Sequence, residues 1–474
     1  MRIAAIDQGT TSTRILVVEP DGARRVAHSV EHRQIYPKPG WVEHDPEELI
    51  RNIRACLGAA GPLDALGIDN QGESCLAWDA ETKQALSPVL VWQDERTATT
   101  IAQLKSDGAE ETTLARAGLP LDAYFSASKL AWILENTPEA RAAQARGALR
   151  LGTTDAFFLD RLAGRCVTDV STASRTSLMN LADGAWDAEL CALFGVPMEC
   201  LPEIVDNTGE FGAIETSAGK APVCALIVDQ QAALYGSGCR DPGDAKMTFG
   251  TGAFALMVTG SEIHRGYERG LLPTVAWRKP GEATVYALDG GVFTAAAAVN
   301  WARSQGLFEA FDDINAFGAP AAIDRGLVFV PALSGLGCPH WDRSARGAWL
   351  GLSLDHEPAD LVQSVLEGVA LRSAEVLDAM NACTGSIGAV SVDGGLTRNP
   401  YFLQFFADSI EKPVERQTEP EVTALGVAML AGEAVGAPDL TSSDRETVPP
   451  RPGGETRRQA FARAVALARK WPGD

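Results

Sequence analysis

Residues 3–18, "IAAIDQGTTSTRILVV", decide how the chain folds. An apolar run ends at Asp7, a turn rich in glycine and hydroxyl groups follows, and a second apolar run starts at Arg14. This pattern predicts two strands joined by a tight hairpin, and the next turn, "EPDGARR", predicts a third strand beside them. The chain therefore opens on a β-meander whose first turn carries one glycine and four hydroxyl side chains.

A second segment of the same kind lies halfway along the chain. Residues 244–260, "DAKMTFGTGAFALMVTG", again read as strand, Gly-Thr turn and strand. Since strands and helices alternate between the two hairpins, we predict an α/β fold made of two duplicated halves. The stretch "GSGCRDPGD", residues 236–244, interrupts the apolar pattern and places the boundary. The predicted domains are 1–240 and 241–474.

The composition narrows the classes of partner. With 46% apolar and 22% charged residues over 474 positions, the chain has the make-up of a folded protein of about two or three domains. Its formal net charge of −21 disfavours nucleic acid and anionic membranes as partners. Small molecules and other proteins remain as possible classes of partner.

Three features of the sequence predict a cytoplasmic protein. The nine cysteines include no CxxC pair, which favours reduced thiols over a disulfide or zinc framework. The amino-terminal stretch "MRIAAIDQGT" has the pattern of neither a secretory signal nor a transit peptide. No apolar run reaches the ~18 residues of a membrane span.

The first hairpin carries groups that suit a phosphate chain. Glycine lets backbone amides approach phosphate oxygens, hydroxyl groups add donors, and an acid at the strand end can hold Mg²⁺ through water. The hairpin is not a Walker loop, because the lysine and the following helix are both missing. Taken alone, the same residues are compatible with an ordinary polar turn.

Two later stretches favour the nucleotide interpretation. In "SVDGGLTRNP", residues 391–400, paired glycines leave a flat slot for adenine or ribose, with Asn399 as a polar contact. In "IVDQQAALYG", residues 227–236, a strand ends where a helix begins at Asp229. On these residues alone, Asp229 is either a helix cap or a functional acid.

Two longer stretches resemble the signatures of one family. "YFSASKLAWILEN", residues 124–136, and "GAWLGLSLDHEPADLVQSVLE", residues 347–367, resemble the two signatures of the FGGY carbohydrate kinases. That family is part of the actin, hexokinase and chaperone ATPase superfamily. The resemblance implies two actin-like, ribonuclease H-like ATPase domains related by duplication, with the active-site cleft between them, and ATP and Mg²⁺ as cofactors.

The resemblance also assigns nucleotide and metal contacts. Asp7 matches the acid associated with Mg²⁺, and Ala296 and Asn300 stand where glycerol-phosphorylating members of the family have a glycine and a glutamine. These two substitutions imply an altered edge of the ribose or adenine site. The residues implied to contact the nucleotide are Thr10, Thr11, Ser12, Arg14, Thr251, Ala296, Asn300, Gly395 and Asn399.

By the same resemblance, Asp229 is the catalytic base and also contacts the substrate. An aspartate at a helix N-terminus is a weak base, which suits phosphoryl transfer because the proton moves late. Carboxylates and a phenol can bind neighbouring hydroxyls, although large rings such as Trp92 are by default core residues. The implied substrate contacts are Gly72, Glu73, Trp92, Tyr124, Asp229, Gln230 and Phe254.

The implied activity is transfer of a phosphoryl group to a terminal hydroxyl of glycerol or a related small polyol, by an enzyme that could be a homodimer. Gly72 stands where glycerol-phosphorylating members have arginine. Either another residue supplies the missing donor, or the pocket accepts a longer polyol; on the sequence we favour the second. A tetritol, pentitol or ketopentose kinase, and a non-kinase ATP-gated sugar sensor, are the alternatives.

Overall fold

The computed structural model describes residues 1–441 and 445–471. The strands are β1 Ile3–Gln8, β2 Ser12–Val18, β3 Arg24–Glu31, β4 Glu43–His44, β5 Ala65–Asn70, β6 Cys75–Asp79, β7 Val89–Leu90, β8 Leu149–Thr153, β9 Val167–Asp169, β10 Met179–Asn180, β11 Ala185–Trp186, β12 Glu203–Val205, β13 Ala213–Thr216, β14 Gly219–Val228, β15 Ala245–Phe249, β16 Ala253–Gly260, β17 Leu272–Trp277, β18 Val285–Val292, β19 Val328–Val330, β20 Ala348–Leu350, β21 Val390–Asp393, β22 Val414–Gln417 and β23 Arg445–Val448.

The α-helices are α1 Pro46–Ala60, α2 Ala98–Ser106, α3 Glu110–Arg116, α4 Ser126–Asn136, α5 Pro138–Ala145, α6 Thr154–Leu162, α7 Val170–Ala173, α8 Ala188–Phe194, α9 Asp229–Gly236, α10 Ala296–Ser304, α11 Pro358–Thr384, α12 Pro400–Ile410, α13 Val422–Ala434 and α14 Gly454–Lys470. Single 3₁₀ turns lie at Met198–Cys200, Tyr267–Arg269, Phe311–Ile314, Ile323–Arg325 and Gly395–Arg398. No helix among the described residues is long and apolar enough to cross a membrane.

The first of two compact units is built on a six-stranded sheet. It comprises Met1–Gly238, Thr274–Tyr286 and Glu421–Thr441. The sheet order is β13-β14-β5-β1-β2-β3, in which β1, β2 and β3 form the predicted antiparallel meander. Strands β1, β5 and β14 run parallel, so their carboxyl ends meet at one edge of the sheet.

The second unit repeats this arrangement. Its described residues are Cys239–Pro273, Ala287–Pro420 and 445–471. Its seven-stranded sheet has the order β17-β18-β16-β15-β21-β22-β23, with β15 antiparallel to β16 and parallel to β21, and β21 parallel to β22. The series β16-β15-β21-β22 thus matches β2-β1-β5-β14 in order and direction. The duplicated α/β fold predicted from the two Gly-Thr hairpins is confirmed.

Helices α9 and α13 of the first unit pack so closely that their backbones touch. A Cβ atom built on Gly426 would overlap the carbonyl oxygen of Ala232, and one built on Gly236 would overlap that of Val422. Only glycine allows this approach at the two positions. Because α9 begins at Asp229, the packing fixes the helix that carries the predicted base.

A methyl group at this contact should separate the two helices. We expect Gly426→Ala to lower the free energy of unfolding by about 2 to 3 kcal/mol, since the added carbon has only backbone to displace. Denaturant unfolding measures the change. Gly58→Ala is the matched control: Gly58 lies in α1, is exposed and has open space around its Cβ position. It should leave stability unchanged or raise it by about 0.5 to 1 kcal/mol, and equal losses for both variants would contradict the proposed packing.

A buried polar network joins α6, α7 and β9 inside the first unit. Asp169 caps α7 by accepting hydrogen bonds from the backbone amides of Ser171 and Thr172 at 2.8 and 3.0 Å. Asp155, on α6, accepts a 2.6 Å hydrogen bond from Thr168. Burial raises the pKa of Asp155 to about 7, and the charge of Asp169 adds to the shift.

The pKa of Asp155 should make stability fall as pH rises from about 4 to about 7. In that interval the folded state holds a proton on Asp155 that the unfolded state, with a pKa of 3.8, has released. The neutral variant Asp155→Asn removes the effect, so its melting temperature should gain on that of the wild type as pH rises. A difference that is constant with pH would contradict the assignment.

Asp79→Asn supplies a control of opposite sign. Asp79 accepts backbone hydrogen bonds from Thr82 and Glu81, which lower the pKa of its carboxyl group. Its contribution to stability is therefore present above the unfolded pKa of 3.8 and lost as pH falls. The melting temperature of this variant should fall further behind the wild type as pH rises.

Candidate active site

The first hairpin lies at the edge of the sheet where the parallel strands end. Asp7 and Arg14 face each other in the register of β1 and β2, and Arg14 Nε lies 3.6 Å from Asp7 Oδ2. Arg14 also donates to Ser12 Oγ at 3.0 Å and to Glu421 Oε2 at 2.8 Å. Of the two other predicted phosphate contacts, Thr11 is exposed and Thr10 is partly buried.

A second acid, Asp69, stands beside Asp7. The parallel register of β1 and β5 pairs Asp7 with Asp69, which is fully buried. Burial raises the pKa of Asp69 well above 3.8, and the charges of Asp7 and Asp229 raise it further. Burial also raises the pKa of Asp7, against the opposing effect of Arg14. The pKa values of both carboxyl groups are therefore raised, and that of Asp69 is raised more strongly.

Glu73 follows β5 in a strained turn. Its φ angle is +60°, in the left-handed region, and the amide of Ser74 donates to the carbonyl of Gly72 at 2.7 Å. Ser126 Oγ donates to the Glu73 carbonyl at 3.0 Å. The carboxylate is 4% exposed and accepts a 2.7 Å hydrogen bond from Arg175 Nε. A non-glycine residue with positive φ persists only where its surroundings hold it.

Two aromatic residues join the Glu73 turn to the hairpin. The backbone amide of Trp92 donates to Ser74 Oγ at 3.1 Å, and its indole Nε1 donates to Thr10 Oγ1 at 3.1 Å. Its ring meets that of Tyr124 edge to face, with centroids 5.6 Å apart. Buried Lys129, in the first signature stretch, donates to the Tyr124 carbonyl at 2.6 Å. Trp92 therefore connects the Glu73 turn and Tyr124 to Thr10 of the phosphate hairpin.

Asp229 occupies the start of α9, directly after β14, as the sequence predicts. In the register of β14 and β5, its neighbour Val228 pairs with Asn70. Asp229 is partly buried, and its Oδ1 accepts a 2.7 Å hydrogen bond from the amide of Gln230, whose side chain is exposed. Asp229 thus stands at the same edge of the sheet as Asp7 and the Glu73 turn.

The second hairpin organises the predicted nucleotide residues of the second unit. Thr251 is exposed in the turn between β15 and β16, and its carbonyl accepts hydrogen bonds from Ala295 and Ala297 at 2.9 and 3.1 Å. Ala296 begins α10 and donates its amide to the Gly250 carbonyl at 3.0 Å. The other two residues predicted on this side are exposed: Asn300 on α10, and Phe254 on β16.

The paired glycines of the second unit differ from each other. Gly394 has a φ of +97°, and a Cβ atom there would overlap the Phe249 carbonyl, so the fold requires glycine. Gly395 is exposed, with nothing within 4 Å of its Cβ position. Asn399 caps α12: its Oδ1 accepts from the Phe402 amide at 2.8 Å, and its Nδ2 donates to the Ile314 carbonyl at 2.8 Å. The side-chain amide of Asn399 thus stabilises the turn in which Gly395 is exposed.

The acids of the first unit fit Mg²⁺ held through water and nucleotide phosphates. Among residues 1–441 and 445–471, no group of three or more His, Cys, Asp or Glu side chains is arranged to enclose a metal ion. Mg²⁺ typically keeps several waters and takes only one or two carboxylates beside phosphate oxygens. Asp7 offers such a carboxylate, and both oxygens of buried Asp69 lack a hydrogen-bond partner in the structure. Asp7 is the residue that would hold the ion.

Sequence reasoning assigned no role to two of these residues. Asp69 stands in "IDNQGESC", residues 68–75, where an acid inside a buried strand was the available signal. Arg175 stands in "VTDVSTASRTSLMNL", residues 167–181, and nothing in that stretch indicates its long-range contact with Glu73.

Two units with the same sheet order, hydroxyl-rich hairpins and acids at the strand ends define a phosphotransferase of the actin-like class. The chain belongs to the FGGY family of carbohydrate kinases: the model of the family's N-terminal domain matches residues 2–236 and that of its C-terminal domain matches residues 245–435. The enzyme is an ATP-dependent carbohydrate or polyol kinase that uses Mg²⁺.

Named relatives match nearly the whole chain. A glycerol kinase of Trichlorobacter lovleyi is 44% identical over 449 residues, which are 92% of this chain and 90% of the relative. A glycerol kinase of Aromatoleum aromaticum is 41% identical over 494 residues, covering 99% of both. The predicted family is confirmed.

Solved structures agree with the fold. The glycerol kinase of Plasmodium falciparum, determined with ADP, superposes with a TM-score of 0.91 at 30% identity and covers 98% of each chain. A xylulose kinase of Rhodospirillum rubrum superposes with a TM-score of 0.87 at 25% identity, covering 100% of this chain and 99% of its own.

The two glycines should respond oppositely to substitution. Gly395→Leu fills open space where adenosine is predicted to lie, so the melting temperature should stay unchanged while KM for ATP rises about tenfold or more. Gly394→Ala should lower the melting temperature, because its Cβ would meet backbone. Steady-state kinetics and thermal unfolding of both variants measure the contrast. An unchanged KM for ATP in Gly395→Leu would place adenosine elsewhere.

Proposed function

We propose that the protein is a glycerol kinase that transfers the γ-phosphoryl group of Mg·ATP to a terminal hydroxyl of glycerol. One observation carries the proposal: Asp229, Asp7 and the Glu73 turn lie at the ends of three adjacent parallel strands, joined to the phosphate hairpin by Trp92. A phosphate site and a hydroxyl site so placed can bring the attacking oxygen towards the phosphorus atom. The names of the two relatives described above point to glycerol.

Asp229 is proposed to orient the attacking hydroxyl and to accept its proton late. Phosphoryl transfer passes through a loose transition state, so alignment of the hydroxyl matters more than the strength of the base. The α9 N-terminus stabilises the Asp229 anion. Gln230, next along the chain, is proposed to contact the same substrate.

The hairpin residues are proposed to hold the phosphate chain. Arg14 is kept in place by Glu421 and Ser12, and it offers a cation beside the amides and hydroxyls of the turn. Mg²⁺, when bound, neutralises charge on the transferring group, and Asp7 would associate with it. In the second unit, Thr251, Ala296, Asn300, Gly395 and Asn399 are proposed to line the nucleotide.

In the first unit, the proposed substrate site is formed by Glu73, Tyr124, Trp92, Asp229 and Gln230. Phe254, on β16, stays a predicted substrate contact. Buried Glu73 can accept hydrogen bonds from neighbouring hydroxyls. Trp92 and Tyr124 offer ring surface to the carbon chain.

The space expected beside Gly72 is partly taken by a valine. A Cβ atom at Gly72 would lie 2.9 Å from Val228 Cγ2, so this methyl group stands at the start of that space. The preference for a longer polyol, drawn from the missing arginine, is therefore not supported, and glycerol becomes the proposed substrate. A larger polyol or ketose stays as the alternative, since xylulose kinases share the fold. We also propose a cytoplasmic homodimer, on the priors for such enzymes.

A substrate panel tests the proposal. With Mg·ATP and C3 to C6 polyols and ketoses, glycerol should give the highest kcat/KM, and ATP turnover should depend on added polyol. If the kcat/KM for a pentitol or ketopentose exceeded that for glycerol, the alternative would hold; ATP turnover that does not depend on polyol would favour the non-kinase ATP-gated sensor.

The role of Asp229 is tested by Asp229→Asn. We expect kcat to fall ~10³-fold without loss of fold, because the amide accepts no proton. Asp187→Asn is the matched control: Asp187 also stands at a helix start, where it accepts from the Glu189 and Leu190 amides. Asparagine caps helices as well as aspartate, so the control should keep kcat within about twofold. Equal kcat in both variants would remove Asp229 from the chemistry.

A further inference from the structure

Arg175 is a buried cation at the predicted substrate group. It follows α7, its amide donates to the Thr172 carbonyl at 3.0 Å, and it is 5% exposed. Nε donates to Glu73 Oε1 at 2.7 Å, and the guanidinium carbon lies 5.9 Å from the centre of the Tyr124 ring. Arg175 thus contacts one predicted substrate residue and lies near another.

In this chain the residue before Glu73 provides no cation, because position 72 is glycine. Val228 Cγ2 stands 2.9 Å from the Cβ position of Gly72, so a side chain there would require this methyl group to move. The cation beside Glu73 comes instead from Arg175, which follows α7.

The turn that carries Arg175 is tied to both strand ends of the site. Ser171 Oγ accepts from the Val228 amide at 3.2 Å, next to Asp229. Thr172 Oγ1, whose proton is donated to Asp169 Oδ2 at 2.7 Å, lies 3.2 Å from Asn70 Oδ1 at the end of β5. Asp169, which caps α7, holds both hydroxyls and Asn207 as well. Arg175 is thus held in register with Glu73 and Asp229 by hydrogen bonds independent of its own ion pair.

We propose that Arg175 is a specificity-determining positioning residue: it fixes the Glu73 carboxylate and sets, with Val228, how long a polyol the site accepts. The inference rests on the proposed function, since Glu73 must bind substrate hydroxyls. A guanidinium carries five N–H donors in a rigid plane, so one fork can hold the carboxylate in a single orientation. A carboxylate held in this way presents its oxygens at a fixed position to two neighbouring hydroxyl groups of the substrate. A shorter side chain at position 175 would let the Glu73 carboxylate move and would also enlarge the substrate site.

The test uses Arg175→Ala, Arg175→Lys and Arg175→Gln in the full chain. In the alanine variant KM for glycerol should rise about tenfold or more while kcat and KM for ATP change less than threefold. The ratio of kcat/KM for glycerol to that for C4 and C5 polyols should fall about tenfold. Lysine should restore part of the glycerol KM, because it keeps the charge but not the planar fork.

Arg372→Lys and Arg372→Ala are the matched controls. Arg372 is also fully buried and paired with an acid three residues away, Glu375, but it lies in the second unit. These variants measure how far the melting temperature falls when a buried arginine–carboxylate pair is disturbed. They should leave the ratio of kcat/KM for glycerol to that for C4 and C5 polyols, the polyol ratio, unchanged. A purely structural Arg175 would lower the melting temperature like Arg372 and leave both the glycerol KM and the polyol ratio unaltered, which would overturn the inference. If the alanine variant fails to fold, the lysine and glutamine variants give the same readings.

The wild type separates this inference from the proposed function. A wild type inactive on every polyol and ketose refutes both. A wild type that prefers another polyol refutes glycerol alone. The Arg175 variants are then measured with that polyol. The same shift in its KM and in the ratio of kcat/KM values between polyols supports the positioning role, and no shift overturns it.

Discussion

The parallel pairing of β1, β5 and β14 is the constraint on which the rest of the site depends. Hydrogen bonding between parallel strands fixes which residues are neighbours, and here it sets Asp7 beside Asp69 and Val228 beside Asn70. The three carboxyl ends coincide, so acids that are 62 and 160 residues apart in sequence share one edge. Burial raises the pKa of Asp69, and repulsion from the like charges of Asp7 and Asp229 raises it further. The edge is thus built to hold charge that a cation or a proton must offset.

Burial gives the polar contacts behind this edge their strength. Glu73 and Arg175 are almost inaccessible to water, and a buried carboxylate without its cation is strongly disfavoured. The same low dielectric strengthens the buried hydrogen bonds of Asp169 to Ser171 and Thr172 of α7 and to Asn207. Rigidity in the substrate turn therefore comes from hydrogen bonds deeper in the unit, and the strained φ of Glu73 is held by them.

Much of the fold could be predicted from the sequence because its signals are local. The hairpin of residues 7–14, its repeat near Thr251 and the start of α9 at Asp229 each show in a few consecutive residues. The relation between Glu73 and Arg175, 102 residues apart, has no local signal. The sequence likewise shows that Gly72 lacks a side chain but not that Val228 fills the space. Both points depend on tertiary contacts, and the second is one reason why glycerol is proposed instead of a longer polyol.

Helix α13 has a consequence for how the protein is made. It is encoded near the end of the chain, yet it packs on β1, β5 and α9 of the first unit, where Val427 meets Gly67. During synthesis the first unit therefore remains incomplete until residue 441 has left the ribosome. Until then the sheet face that α13 covers is exposed, and Arg14 lacks its hydrogen bond to Glu421. The nascent chain passes through a long interval in which the phosphate hairpin is formed but not yet held in place.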